Sequence, residues 1–384
     1  MDVAVLGSSP TGLYALRELA RAGLRVGCAD TTRGCAMASR YVAGEEVFVG
    51  SRESILEWLR ARRESGLVLL PTSDFFIELV VQLAADGEPG FRYFDGYRGV
   101  AAELLDKARF HALCLRHGMA TPGVWHAPDN NALRALAENV PFPCILKPVL
   151  IHRAKAHLQG KKVLLARSAA EYAQHVDALP EGLGGWLVQE IIPGEESRIT
   201  LFAGYRSREG ELRHAFTARK LRQYPPGFGS ASLVSSEACP ETLELSACFL
   251  SKIDFKGVCG VEFKRDPRDG KLKIIEINPR PTLWFQAAHD AGKRVVQSAV
   301  ADLIGLAGPA DGQQRQDVRW RYALKDAASA LHYRRHGSEF VFPPPEVGEA
   351  GAGTVRSWPV FSATDPMPTV AEPLGFVRKA WRRR

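Results

Sequence analysis

The chain has 384 residues, 46% of them hydrophobic and 24% charged, which describes an ordinary globular protein with material for two or three domains. No apolar run reaches the roughly 18 residues of a membrane span, and seven cysteines without a CxxC pair argue against a disulfide framework or a zinc site. The net charge of +7 favours anionic partners, but the arginines are scattered and form no nucleic-acid module, so nucleotide phosphates or an acidic small molecule are expected instead.

The amino terminus enters a strand pattern at residues 2–6 without a basic leader, and a cytoplasmic location is expected. Gly7-Ser-Ser-Pro-Thr-Gly12 follows, then a helical run to Ala22 and a second strand over 24–29 that ends at Asp30. This βαβ opening has the outline of a dinucleotide fingerprint, but Ser9 and Pro10 stand where the backbone should approach a pyrophosphate. Two readings stay open: an NAD(P)-dependent oxidoreductase using Gly7, Gly12 and Asp30, or a Rossmann-like unit whose loop serves another ligand or only makes the turn. A later strand, 68–70, leads into Pro71-Thr-Ser-Asp74. Ser73 and Asp74 are therefore candidate substrate contacts, with an N-cap for the helix 75–85 as the alternative account.

A second unit starts near Ala101. A helical pattern from Leu104 stops at Gly118, and 142–148 (Phe-Pro-Cys-Ile-Leu-Lys-Pro) reads as an apolar strand that carries Lys147. An ammonium in such a strand needs water or an anion. The basic stretch 149–162, with Arg153, precedes a strand over 163–166, and another strand from Trp186 ends in Pro193-Gly194. Residues 198–205 and 212–220 are strand-like, 223–232 reads as a long irregular stretch, and 241–252 as a helix. A further helix is expected over 292–304, and a basic helix over 320–335. Beyond about residue 308 the composition shifts towards a basic, Pro- and Gly-containing extension with a flexible segment at 348–353.

Residues 257–281 read as a hairpin. Cys259, Val261 and Phe263 alternate with Gly260, Glu262 and Lys264; after the turn residues 266–270, Ile275 and Ile277 alternate with Glu276 and Asn278. In-register pairing places Glu262, Glu276 and Asn278 on one face. Two carboxylates and an amide suit a hard divalent cation that takes its other ligands from phosphates; three solvated polar residues on an outer face are the alternative.

Taken in order, Asp106-Lys107, Lys147, Gln189-Glu190, Glu196, Lys220, Glu262 and Glu276-x-Asn278-Pro-Arg280 resemble the ATP-grasp superfamily, and within it the carboxylate–amine ligases of the D-alanine–D-alanine and D-aspartate ligase types. The resemblance covers about residues 101–290. It implies an α/β chain with α+β lobes: a Rossmann-like pre-ATP-grasp domain over 1–100, a small lobe over 101–188, a lobe with the metal site over 189–308, and a C-terminal extension over 309–384. It implies ATP with Mg²⁺, or Mn²⁺ in its place. Lys107 and Lys147 would contact phosphates, Gln189, Glu190 and Ile192 would line the adenine cleft, and Glu196 would meet the ribose. Glu262, Glu276 and Asn278 would hold the metal, with Lys220 and Arg280 catalytic. Ser73, Asp74, Arg153, Arg222 and Gly229 are the substrate candidates. The usual glycine-rich loop after the second lysine is absent; residues 152–160 replace it.

The implied reaction forms an amide through an acyl phosphate, releasing ADP and phosphate, on small-molecule carboxylate and amine substrates. A carboxylate is a poor acyl donor until a phosphoryl group gives it a stable leaving group. Residues 224–232 are expected to cover the site against water. An ATP-grasp kinase and a non-catalytic relative are the alternatives within the superfamily, and a homodimer is left open.

Overall fold

The structure, a computed structural model, describes residues 1–63, 66–149, 163–182, 185–337, 341–349, 351 and 353–373. Among these the strands form three sheets, each drawn from one contiguous stretch of chain. The first holds β1 (Val3–Leu6), β2 (Val26–Asp30), β3 (Val47–Val49), β4 (Leu67–Pro71) and β5 (Phe91–Arg92), all parallel, in the order β3-β2-β1-β4-β5. β1 and β4 are buried at every position. A parallel strand covered on both faces must be apolar on both, which is why these read as unbroken apolar runs. The chain winds in opposite directions from the β1–β4 boundary, so residues 7–9 and 72–74 frame a crevice at the carboxyl ends of the strands.

The second sheet is antiparallel and comprises β6 (Val124–Ala127), β7 (Cys144–Pro148), β8 (Leu164–Ala166) and β9 (Trp186–Glu190), in the order β6-β9-β7-β8. Side chains alternate across it. Cys144, Leu146, Ala166, Trp186 and Val188 pack on Leu133, Tyr172 and Val176 of the helices Asn130–Ala135 and Ala169–Asp177. Ile145, Lys147, Leu187 and Gln189 therefore face the other way, towards the third sheet.

That third sheet runs β14-β13-β10-β11-β12-β15-β16: β10 (Ile199–Arg206), β11 (Leu212–Tyr224), β12 (Ser230–Ser236), β13 (Gly257–Arg265), β14 (Leu272–Asn278), β15 (Val318–Arg321) and β16 (Val355–Ser357). One side of β13 buries Cys259, Val261 and Phe263 against Phe249 and Leu250 of the helix Pro240–Lys252 and Leu113 and Cys114 of the helix Lys107–Arg116. On the far side of the sheet, the helices Phe285–Asp290 and Val295–Ile304 share one core with the first sheet and the helix Pro10–Arg21. Buried Glu18 fastens this junction: it accepts from His289 at 2.7 Å and from the Gln297 amide at 2.8 Å.

Two expectations are corrected. Residues 223–232 are the end of β11, a tip at 225–229 and the start of β12, so the expected irregular stretch is a hairpin. The chain beyond 308 is also woven in. β15 pairs with β12, β16 pairs with β15, and the helix Ala323–His336 packs over β11 and β12. Farther on, Asp365 accepts from Arg17 Nε at 2.9 Å, with both side chains buried, and also from Ser39 and the Arg40 amide.

Candidate active site between two sheets

The β13–β14 register places Glu262 opposite Glu276 and Gly260 opposite Asn278. Period-two alternation then sets Glu262, Glu276 and Asn278 on the face away from the Phe249 core. Glu262 and Asn278 are each 8% exposed, while Glu276 is open to solvent. Lys220, which is 1% exposed on β11, donates to Glu262 and more weakly to Gln223 at 3.4 Å. Burial pushes the Glu262 carboxyl up; the Lys220 ammonium opposes this and the Glu276 carboxylate adds to it. A buried carboxylate neutralised by one ammonium, with a second carboxylate and an amide beside it, is a donor set that fits a hard divalent cation. Among the described residues no group of three or more His, Cys, Asp or Glu is placed to hold a metal.

Across from this face stands Lys147. Its ammonium donates to Gln189 Oε1 at 2.7 Å, and burial together with the nearby Lys107 charge brings its pKa down to about 8, against the pull of Glu276. The two lysines and Glu276 therefore share one electrostatic environment although they come from three stretches of chain. Lys107 is exposed at the first position of its helix, where Asp106 caps the Ala108 and Arg109 amides at 2.9 and 3.0 Å. A cavity of about 410 Å³ opens beside Lys107, lined also by Glu78, Gln82, Leu105, Val149 and Leu187.

The crossing from β9 to β10 is tied down by ionic side chains. Glu190 accepts the Gly123 amide at 2.9 Å and pairs with Arg268. Lys264 donates to the carbonyls of Ile192 at 2.9 Å and Gly194 at 2.7 Å, and burial lowers its pKa to about 7. Sequence reasoning missed Lys264; its one signal was its place two residues beyond Glu262 on the same strand face. Glu196 is 1% exposed and accepts the amides of Gln223, at 3.0 Å, and Gly227, so it fastens the hairpin tip. Burial raises its pKa, and those amides partly offset the rise.

Arg280 and Asp74 meet directly: Arg280 Nε donates to Asp74 Oδ1 at 2.7 Å. Ser73 lies beside them as the N-cap residue of the helix Asp74–Ala85. Arg222 and Gly229 are placed elsewhere. Arg222 forms two bonds, 2.7 and 2.8 Å, to the fully buried Asp326. Gly229 sits at the hairpin tip, where a Cβ would come within 2.1 Å of the Tyr224 backbone. Arg153 and the replaced loop at 152–160 lie outside the described residues.

The Gly7–Gly12 loop packs against its own protein. Asp30, the acid a dinucleotide ribose would need, accepts from the Ser8 amide at 2.6 Å and the Ser8 hydroxyl at 2.7 Å. A Cβ on Gly12 would come 2.0 Å from the Gly7 carbonyl oxygen, so that glycine serves close strand–helix contact. Nothing in this geometry favours the oxidoreductase alternative. Among the described residues no helix is long and apolar enough to cross a membrane.

No family model matches the chain. It is 22% identical over 247 residues to a D-aspartate ligase of Enterococcus faecium, covering 62% of this chain and 58% of that protein. It is 26% identical over 223 residues to the carbamoyl phosphate synthase large chain of Deinococcus deserti, covering 54% and 20%. The chain thus covers 58% and 20% of the length of these two curated relatives, less than two thirds of either. Among solved structures, an ADP complex of N5-carboxyaminoimidazole ribonucleotide synthetase aligns with a TM-score of 0.65 at 13% identity, over 82% of this chain and 79% of that one. The Thermus thermophilus enzyme of the same name aligns at 0.61 with 19% identity, over 80% and 79%. The biotin carboxylase domain of Hydrogenobacter thermophilus 2-oxoglutarate carboxylase, solved with MgADP and bicarbonate, aligns at 0.63 with 15% identity, over 83% and 73%.

Proposed function

We propose that this chain, whose fold is the ATP-grasp fold, is an ATP-dependent carboxylate–amine ligase that forms an amide through an acyl phosphate. The observation that carries the reading is the pairing of Glu262 with Glu276 and of Gly260 with Asn278, which turns two carboxylates and an amide towards Lys147 and Lys107. A D-aspartate ligase among the sequence relatives supports the same chemistry.

Phosphoryl transfer asks a protein mainly for positioning and charge neutralisation. Lys107, Lys147 and Lys220 supply positive charge around the phosphates of ATP. Glu262, Glu276 and Asn278 would hold Mg²⁺, or Mn²⁺ in its place, which when bound supplies further neutralisation of the phosphate oxygens. A substrate carboxylate oxygen attacks the γ-phosphorus, the bond from that phosphorus to the bridging oxygen breaks, and ADP leaves. An amine nitrogen then attacks the acyl carbon and loses a proton, and phosphate departs as the C–N bond forms. Arg280, oriented by Asp74, stabilises the oxyanion between those events. Gln189, Glu190 and Ile192 border the adenine, and Glu196 is assigned to the ribose edge of the same cleft. Ser73 and Asp74 stand at the substrate end.

The division at residues 100 and 188 and a cytoplasmic location belong to the same proposal. The test is ADP release screened against pooled amino acids and carboxylic acids, with mass spectrometry of the product. Unchanged ATP turnover in Glu276→Gln would remove the site assignment.

A further inference from the structure

The inner face of the second sheet has a polar half, Lys147 and Gln189, and an apolar half. Ile145 and Ile191 in the apolar half are 3% and 6% exposed, and the group that covers them is Phe342, itself 5% exposed, with Val163, Leu165, Phe228 and Val341 around it. Phe342 reaches this place from a segment about 150 residues beyond Ile191 in sequence. Its ring meets Phe228 of the hairpin tip at 5.5 Å between centroids. The Lys264 ammonium lies 4.1 Å from the ring centroid, while donating to the carbonyls of Ile192 and Gly194. One flat ring therefore packs with aliphatic side chains of the second sheet and also meets the β13 ammonium, beside the chain that joins the two sheets.

Those are the contacts a purine would take in a slot between these sheets: aliphatic surface for its face, and the backbone at 190–192 for its edge. The polar groups around the slot are engaged in the same internal way. Lys264 holds the Ile192 carbonyl, the Gln223 and Gly227 amides hold Glu196, and Lys220 holds Glu262. The segment that carries Phe342 is fixed by few described polar contacts. The Glu346 amide donates to Glu195 at 3.1 Å, and Arg319 donates to the carbonyls of Val347 and Gly348 at 2.6 and 2.9 Å.

We propose that Phe342 is an internal occupant of the base slot, so that a nucleotide and the segment 341–348 compete for the same place. This rests on the proposal that the cleft binds ATP. A nucleotide then binds only the fraction of molecules in which Phe342 has withdrawn, and its apparent dissociation constant is the intrinsic one divided by that fraction. Removing the ring abolishes the competition without touching Lys107, Lys147 or the acidic residues.

The experiment is calorimetric titration of the full chain with MgADP and with MgATP, for the wild type, Phe342→Ala and Phe342→Trp. Amide hydrogen exchange of residues 341–348 is followed in the wild type with and without nucleotide. The expected result is binding at least about tenfold tighter in Phe342→Ala, which corresponds to an open form populated at about a tenth or less. Phe342→Trp should gain nothing, and the 341–348 amides should lose protection when nucleotide is added. Weaker or unchanged binding by Phe342→Ala overturns the competition and leaves the nucleotide site standing, with Phe342 as part of its wall or a bystander. No binding by either the wild type or Phe342→Ala removes the nucleotide site and this inference together. Should Phe342→Ala fail to fold, the exchange experiment decides alone: protection that stays or rises with nucleotide bound overturns the proposal.

Discussion

Arg280 and Asp74, 206 positions apart in sequence, form a 2.7 Å ion pair that joins the end of β14 to the first turn of the helix following β4. The Arg280 side chain is 16% exposed and that of Asp74 59%, so the guanidinium is held from the solvent side. Tyr97, buried beneath, donates to the Pro279 carbonyl at 3.0 Å and fixes the same turn. The N-terminal unit thus orients a group at the end of the acidic strand.

Replacing Arg280 with Met is expected to lower kcat by about 10²–10³, the usual cost of losing one oxyanion donor. Asp74→Asn, which keeps the shape and loosens the grip, should cost about tenfold or less. A double-mutant cycle on ADP release should show the two effects to be less than additive, because Asp74 acts through Arg280. Additive losses would separate the two residues.

Glu276 is exposed and Glu262 is buried against Lys220. Glu276→Gln should therefore leave the thermal midpoint without metal nearly unchanged, within the roughly 0.5 kcal/mol typical of surface changes, while ATP turnover falls by about two orders of magnitude or more. Glu262→Gln strips the buried Lys220 of its counter-charge and should lower both turnover and stability. Scanning calorimetry beside an ADP assay distinguishes the two patterns.

Lys147, with its pKa near 8, is expected to make nucleotide binding depend on pH. Below about pH 8 it already carries its charge, and phosphates bind without proton uptake. Above that value the free protein has lost the proton, and phosphate binding must restore it. Calorimetric titrations at pH 9 in buffers of different ionisation enthalpy should show uptake approaching one proton, and those at pH 7 almost none. Lys147→Met should abolish the difference. For folding the sign is opposite: between pH 8 and the ordinary lysine value of 10.5 the unfolded chain holds more protons, so this group's contribution to stability rises with pH across that window.

Asp326 is fully buried and accepts from both Arg222 and Arg321. Asp326→Ala leaves the largely buried Arg222 guanidinium without its counter-charge, while the half-exposed Arg321 turns to water, and should cost about 3–5 kcal/mol of stability in urea unfolding. Arg222→Ala should likewise move the unfolding midpoint more than it moves the KM for any substrate.

What was legible in the chain was local alternation. The runs of β1 and β4 and the apolar–polar beat of β13 are period-two signals carried by a few adjacent residues. On β14 a bulge at Ile275 breaks the expected beat, so Ile274 and Ile277 join the Phe249 core and Ile275 the other, while the pairing still sets Glu262, Glu276 and Asn278 on one face. What escaped was set by distant partners. Val-Arg-Trp-Arg at 318–321 alternates as a strand should, but four residues running straight into a helix are too short a signal until β12 lies beside them. Pro-Pro-Gly-Phe-Gly at 225–229 reads as irregular chain because a hairpin tip and a loop share the same residues. Nothing near Arg17 announces a partner 348 residues away. Lys264 and Phe342 belong together only once two sheets face one another.

The third sheet has a consequence for the making of the protein. Its strands are drawn from residue 199 to residue 357, and β15 and β16, the last to be synthesised, lie outside β12. A nascent chain that has completed every residue of the acidic hairpin still has an open edge along β12, where unpaired amides and carbonyls can join another strand. Truncation before residue 318 would reproduce that state in a finished molecule. Shortened versions are expected to associate through β12, with losses of yield that have nothing to do with catalysis.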